Sequence, residues 1–438
     1  MYRAPLYEAL QSAVRTGRSR FHTPGHGGDG CLFPFPDVAA FDMTEIEGLD
    51  ALYEASGPIL CAEELAARFF GAQRTLLSSG GCTLCIQTML ALALQPGEQV
   101  LMARNSHRAA IHTAALLDLQ PVWVWPQEGR ILPSDVENLL ERNPSCRAVY
   151  ITSPDYYGRI SDIAALSAVC RTKGIPLLVD NAHGTHLGLV PGGRHPLQEG
   201  AAMTACSAHK TLPVLTAGAW LNIAQKDYVQ RAKQVMAVFG STSPSYPILA
   251  SLDLARAWCE EEGKAAFATL YNRVKEIEEF ACQVGMPPMD GLRDNVRITL
   301  QVGKIGLTGV FAADILRRYG VEPEFVDEAN IVLIPSVFST QEDFQRLQRA
   351  IAQFPQRAPR KEQERLMSFH PESVMSLRSA VFSHTESIDV ENAPGRIAAQ
   401  AVCPCPPGIP ITMPGERVTD EICHIMKKTG ISCLSVVK

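Results

Sequence analysis

In Ser207-Ala208-His209-Lys210-Thr211-Leu212 a lysine stands in a polar turn among small hydroxyl residues, just after the apolar stretch 201–206. Such a lysine can be held uncharged for long enough to condense with an aldehyde, and Ser207 is placed to bond a phosphate. A lone lysine is ordinarily a solvent-facing charge, so the weight falls on its companions. Earlier in the chain, Val179-Asp180-Asn181-Ala182-His183-Gly184 closes an apolar run with a carboxylate. An ionised Asp180 there can pair with a protonated pyridine nitrogen and keep an aromatic ring an electron sink, and the small Ala182 lets such a ring lie flat against the chain. The bland alternative is an aspartate that caps the next turn.

Ser78-Ser79-Gly80-Gly81-Cys82-Thr83 opens an expected helix with glycines. Free backbone N–H groups and the helix dipole make such a start a phosphate cup, although glycine-rich loops also serve simply as turns. His107 lies just past an expected strand, where a flat imidazole can stack on a bound aromatic ring; an isolated loop histidine is otherwise a surface residue. Two further constellations compete. His183 and His186 have a spacing that a metal accepts, and Cys82-x-x-Cys85 with Cys403-Pro-Cys405 suggests zinc or redox chemistry. Both are the weaker readings, because the histidine pair has no third ligand nearby and burial on an apolar helix face explains Cys85.

The elements that must position these residues follow a βαβ rhythm. Short β-branched runs at Gln99–Met102, Pro121–Trp125, Ala148–Thr152 and Pro176–Val179 read as buried parallel strands. Helical periodicity marks Cys61–Phe70, Thr83–Leu94, Ile163–Lys173, Lys226–Val238 and the long run Ile248–Val284. Ligands gather at the carboxyl ends of strands in such sheets, which is where the candidate residues stand. From about Asn295 a strand, a helix at Gly309–Tyr319 and a strand at Asn330–Pro335 suggest a smaller α/β unit, and the charged stretch Arg357–Arg365 reads as a solvated helix or linker. The expected division is residues 1–290 for an N-terminal arm and large domain, and 291–438 for a smaller region ending in a Pro/Gly-rich module.

With 438 residues the chain can bury a large core. A net charge of -6 and the lack of a basic stripe argue against nucleic acid or anionic membrane as partner. No signal-like start and no membrane-length apolar run point to the cytoplasm. Thirteen cysteines, an odd number and mostly in apolar stretches, argue for reduced thiols rather than a disulfide scaffold.

Taken in order, these motifs resemble the fold-type-I, pyridoxal-5'-phosphate (PLP)-dependent Orn/Lys/Arg decarboxylase family in its short form. The resemblance includes Arg20-Phe21-His22-Thr23-Pro24-Gly25-His26-Gly27-Gly28, Phe41-Asp42-Met43-Thr44-Glu45, Leu49-Asp50, Gly395-Arg396-Ile397-Ala398-Ala399, Pro406-Pro407-Gly408-Ile409-Pro410 and Pro414-Gly415-Glu416. It implies an α/β large domain with a mainly parallel sheet, Lys210 as Schiff-base lysine, Asp180 as partner of the pyridine nitrogen and His107 as stacking residue. It also implies that Gly81, Cys82, Thr83 and Ser207 line the phosphate and that His209 stands near the reacting Cα. Ser243, in Ser241–Ser245, would reach the phosphate of a neighbouring subunit, which makes the functional unit a homodimer or larger. The implied reaction is decarboxylation of arginine or lysine, with ornithine third, to the amine that feeds polyamine metabolism.

The chain departs from the family in places. Gly80-Gly81-Cys82-Thr83 followed by Cys85 replaces a hydroxyl-rich cup and its following Asn, and a thiol is a poorer donor than a hydroxyl. Gly27 replaces a frequent Lys, Asp155 a usual Thr, and Cys405 a usual Tyr. Glu386, Asp389 and Glu391 are candidates for the substrate's side-chain cation. Another PLP reaction on the same fold (an aminotransferase, aldolase or lyase) and a catalytically silent amine-sensing relative remain the alternatives.

Overall fold

The computed structural model describes residues 3–16, 24, 36–359, 371–403 and 410–438. Most of the Arg20–Gly28 motif, Cys405 and the Pro406–Gly408 turn therefore lie outside the described residues, as does part of the Arg357–Arg365 stretch.

Seven strands form the main sheet: β1 Arg74–Ser78, β2 Gln99–Ala103, β3 Gln120–Val124, β4 Cys146–Thr152, β5 Leu177–Asp180, β6 Met203–Cys206 and β7 Ala219–Ile223, in the order β1-β7-β6-β5-β4-β2-β3. β2 runs parallel to β3 and β4, β4 to β5 and β5 to β6, while β7 is antiparallel to both of its neighbours. The carboxyl ends of β1, β2, β4, β5 and β6 therefore open on one edge. β5, β6 and β7 are buried at every position, which is why they read as unbroken apolar runs rather than alternating ones.

Helices cover both faces. Pro58–Phe70 and Tyr246–Trp258 pack with Trp220 and Leu77 in one core, whereas Gly81–Ala93 and Arg108–Leu116 pack with Leu76, Met102 and Tyr150 in another. The expected helix over Lys226–Val238 is a 3-10 turn at Lys226–Tyr228 followed by a helix at Ala232–Phe239. The long run from 246 to 283 is interrupted by a π turn at Cys259–Gly263, where the bare α-carbon of Gly263 lets the Leu189 side chain approach; an added Cβ would meet it at 3.1 Å.

Beyond the main sheet, β8 Ile298–Leu300, β9 Phe325–Val326 and β10 Ile331–Leu333 form an antiparallel sheet of order β8-β10-β9, and its apolar face shares a core with the large unit. β11 Thr385–Asp389 pairs with β12 Cys433–Val437 around a separate cluster that includes Val390, Ile422, Met426 and Val436. Arg104, directly after β2, reaches across to Glu416 in this last unit, and both are buried. Among the described residues no helix is long and apolar enough to cross a membrane.

Candidate active site

Gly81, Cys82, Thr83, His107, Asp180, Ala182, Ser207, His209 and Lys210 line one cleft of about 2210 Å³ at the carboxyl edge of the main sheet. Asp180 is the last residue of β5 and is buried. Its Oδ1 accepts from the Ala182 N–H at 3.1 Å and its Oδ2 from the Tyr150 hydroxyl at 3.3 Å. Burial pushes its carboxyl above the usual range, and the nearby His107 and Lys210 pull it back down. A carboxylate in that position wants a cation, which a protonated pyridine nitrogen would be.

His107 is held by the start of the helix Arg108–Leu116, where its Nδ1 accepts from the Ala109 N–H at 3.2 Å. Desolvation by the cleft walls lowers its imidazole, outweighing the pull of Asp180, so the ring is neutral and suited to stacking. Ser207 is buried and immediately precedes the 3-10 turn Ala208–Lys210, which carries His209 and Lys210 into the cleft. Burial and the neighbouring Lys210 lower His209 as well.

The helix Gly81–Ala93 begins with no side-chain cap; the Gly81 N–H goes to the Ala217 carbonyl at 2.9 Å, and the Cys82 and Thr83 amides that follow are left for a ligand. Gly81 has φ +72°, a conformation in which a side chain would be strained, and no atom lies within 4 Å of the place its Cβ would take. The cup therefore keeps the room and the donors that a phosphate needs. Burial and the nearby Asp180 push the Cys82 thiol well up, which keeps it protonated. Thr152 and Asn105 also line the cleft, each with a buried side-chain oxygen that has no protein partner. These features fit PLP: an anion cup, a carboxylate for the ring nitrogen, a flat neutral ring and an amine.

Ser243 does not join them. It is exposed, its N–H bonded to the Ser241 hydroxyl at 3.2 Å, and it lies outside the residues that line the cleft. Glu386 and Glu391 are paired with Arg396 at 2.6 Å and Lys427 at 2.9 Å on the surface of the last unit, and Asp389 is exposed there; none of the three lines the cleft. Besides Asp180, the carboxylates that line it are Glu128, Asp155, Asp290, Asp327 and Glu328. Asp155 is buried and accepts from the backbone and guanidinium of Arg159, while Asp327 accepts from the Tyr157 hydroxyl at 2.8 Å.

His183 and His186, whose spacing allows a metal pair, have different partners. His186 Nε2 is 3.1 Å from Asp294 Oδ1. His183 Nε2 is 3.0 Å from Lys210 Nζ, and its Nδ1 is 3.0 Å from Nη1 of Arg297. The place of His183 beside the lysine and that of Arg297 behind it were not evident from the sequence. The one hint was the position of His183 in the loop after β5; nothing local marks Arg297.

The fold closely matches the lysine decarboxylase of Francisella novicida, with a TM-score of 0.86 and 17% identity over 99% of this chain and 81% of that one. The fold, a large and mostly parallel sheet with a smaller C-terminal unit, is that of the PLP-dependent enzymes of fold type I. Residues 4–285 match the Orn/Lys/Arg decarboxylase major domain and residues 360–428 the C-terminal domain, and the chain belongs to that family. It is 30% identical to an arginine decarboxylase of Bacillus subtilis over 97% of this chain and 94% of the relative. With an arginine decarboxylase of Bacillus anthracis the identity is 31%, over 98% and 93%. The protein is a decarboxylase of a basic amino acid and works with PLP.

Proposed function

We propose that the chain decarboxylates arginine, with Lys210 as the residue that carries the cofactor. The observation that carries this reading is the convergence of Lys210, Asp180 and His107, from the ends of three strands, on one cleft that also holds an uncapped helix start. Arginine is preferred because relatives of about 30% identity along nearly the whole chain bear that name.

When bound, PLP supplies an electron sink for the pair left on Cα as CO2 departs. Asp180 would hold a proton on the pyridine nitrogen by its charge, and His107 and Ala182, which line the same cleft, would flank the ring. The Cys82 and Thr83 amides at the start of the helix Gly81–Ala93, with the side chains of Cys82, Thr83 and Ser207, would hold the phosphate. Lys210 would carry the cofactor and, with His209 as the other candidate, would be placed to return a proton to Cα.

The same reading has residues 1–290 as the N-terminal arm and large domain, and 291–438 as a smaller region. It makes the working unit a homodimer or larger, in which the exposed Ser243 reaches the phosphate of a second copy, and places the enzyme in the cytoplasm. The test is the absorbance spectrum of purified protein, with and without borohydride, in wild type and Lys210→Ala, followed by amine detection with arginine, lysine and ornithine. A cofactor band that needs Lys210, together with agmatine formed from arginine, supports the proposal. A wild-type chain that takes up no PLP refutes it, and PLP uptake without CO2 release moves the reaction to another on the same cofactor.

A further inference from the structure

We propose that Arg297 is a positioning residue that fixes the proton of His183 on Nε2 and so makes His183 a hydrogen-bond donor to Lys210 Nζ. This rests on the reading of Lys210 as the reactive lysine. Arg297 immediately precedes β8 and is 2% exposed. Its Nη1 reaches His183 Nδ1 at 3.0 Å and the Tyr156 carbonyl at 2.9 Å, and its Nη2 reaches the His183 carbonyl at 3.2 Å. Asp294, at 3.5 Å from Nε, balances its charge and also holds His186.

A guanidinium has donors and no acceptor. The lone pair of His183 must therefore be on Nδ1. Burial, and after it the Arg297 guanidinium, push His183 well below the usual imidazole range, so the ring carries one proton, and that proton is on Nε2. Nε2 is 3.0 Å from Lys210 Nζ. An N–H aimed at Nζ matches a nitrogen that offers a lone pair. A protonated Nζ would instead need Nε2 as acceptor, which would put the His183 proton on Nδ1, against the N–H of Arg297. Arg297 thus favours the unprotonated, nucleophilic form of the nitrogen without touching it.

Other groups bear on the same proton. Asp180, at the end of β5, favours a cation at Lys210, and its own carboxylate is shared with the Tyr150 hydroxyl of β4. His107 and Cys82 line the same cleft, near enough for charge to act between them and the pair, and His209 flanks Lys210. Tyr156 sets its ring edge-on to His183, with centroids 4.8 Å apart, and turns its hydroxyl away to Glu324. The Arg297 contact is the one that dictates which imidazole nitrogen carries the proton.

The test is the pH titration of the visible cofactor band in the holoprotein, which reads the proton on Nζ independently of turnover. Arg297→Met frees Nδ1, lets Nε2 accept from a protonated Nζ, and raises the midpoint by about one pH unit, a tenfold change in the proton equilibrium. Arg297→Lys keeps a donor-only cation and stays near wild type. In a His183→Gln background Arg297→Met leaves the midpoint unmoved, whereas a pure charge effect would persist. A midpoint in Arg297→Met equal to wild type, or an undiminished shift in the His183→Gln background, overturns the proposal. Should Arg297→Met not fold, imidazole nitrogen chemical shifts of the labelled wild-type chain decide: a His183 proton on Nδ1 overturns the assignment, and one on Nε2 supports it. A wild-type chain with no cofactor band refutes the proposed function, and the chemical-shift measurement then still decides the present point.

Discussion

Removing one partner of the Arg104–Glu416 pair should cost at least as much stability as removing both. Arg104 is 1% exposed and Glu416 2% exposed, and the two meet as a bidentate pair, with Nη2 to Oε2 at 2.7 Å. Trp125 and Trp123 lie under the guanidinium with ring centroids at 4.8 and 5.4 Å, and Glu416 Oε2 also accepts from the Met413 N–H at 2.7 Å. Glu416→Met leaves a dry guanidinium without a counter-charge, and Arg104→Met leaves a dry carboxylate; each should cost about 3–5 kcal/mol. Independent effects would sum to roughly 6–10 kcal/mol, comparable with the whole stability of an ordinary domain. Instead, Arg104→Met/Glu416→Met replaces the pair with apolar side chains and should be no less stable than the worse single variant, because no uncompensated charge remains. Urea unfolding followed by tryptophan fluorescence suits the measurement, since two of the indoles sit on the guanidinium. Single variants within 1 kcal/mol of wild type, or a double variant that equals the sum of the singles, would refute the reasoning. Because Arg104 precedes His107 by one short turn, the single variants should also weaken PLP uptake.

Three further outcomes are expected. Asp180→Asn removes the charge that would hold the pyridine nitrogen protonated; the loss of a buried pair worth about 3–5 kcal/mol corresponds to a fall in kcat on the order of 10²–10⁴, measured by amine release with the cofactor saturating. Cys82→Ser places a hydroxyl in the phosphate cup and should tighten PLP binding by roughly two- to tenfold, the worth of one neutral hydrogen bond, read by titrating the chain with the cofactor. Burial lowers the His195 imidazole to about 3, so below the ordinary value of 6.5 the unfolded chain binds a proton that the folded chain refuses. Stability that His195 leaves intact above 6.5 is therefore lost as pH falls from 6.5 towards 3, by about 1.4 kcal/mol per pH unit. His195→Gln should flatten the urea midpoint against pH over that range, and an unchanged slope would count against the argument.

The middle of the main sheet was legible from the sequence because its strands are largely buried, so apolar content marks them: the runs read at Gln99–Met102, Ala148–Thr152 and Pro176–Val179 lie within one residue of β2, β4 and β5 or inside them, whereas β1, β6 and β7 were not among the strands read. Lys210, Asp180, His107 and the glycine-rich helix start were legible for a related reason. Each follows a strand end directly, so a local motif already fixes which edge of the sheet it occupies, and the fold brings all of them to one cleft. The interruptions at 229–231 and 259–263 were not, since apolar periodicity is blind to a turn that neighbouring side chains impose.

Tertiary structure alone decided which groups talk to the reactive lysine. His183 and His186 are a turn apart with the same side chain, yet one faces Lys210 and the other Asp294, because Arg297 and Asp294 arrive from a distant segment and each selects its partner. The carboxylates Glu386 and Glu391 look available in the sequence and are spent on Arg396 and Lys427 in the folded unit. A residue type and its neighbours determine what chemistry a side chain can do. Which ring nitrogen carries a proton, and which carboxylate is already paired, depends on atoms far away in the chain that only packing brings within 3 or 4 Å, about the reach of a hydrogen bond or ion pair.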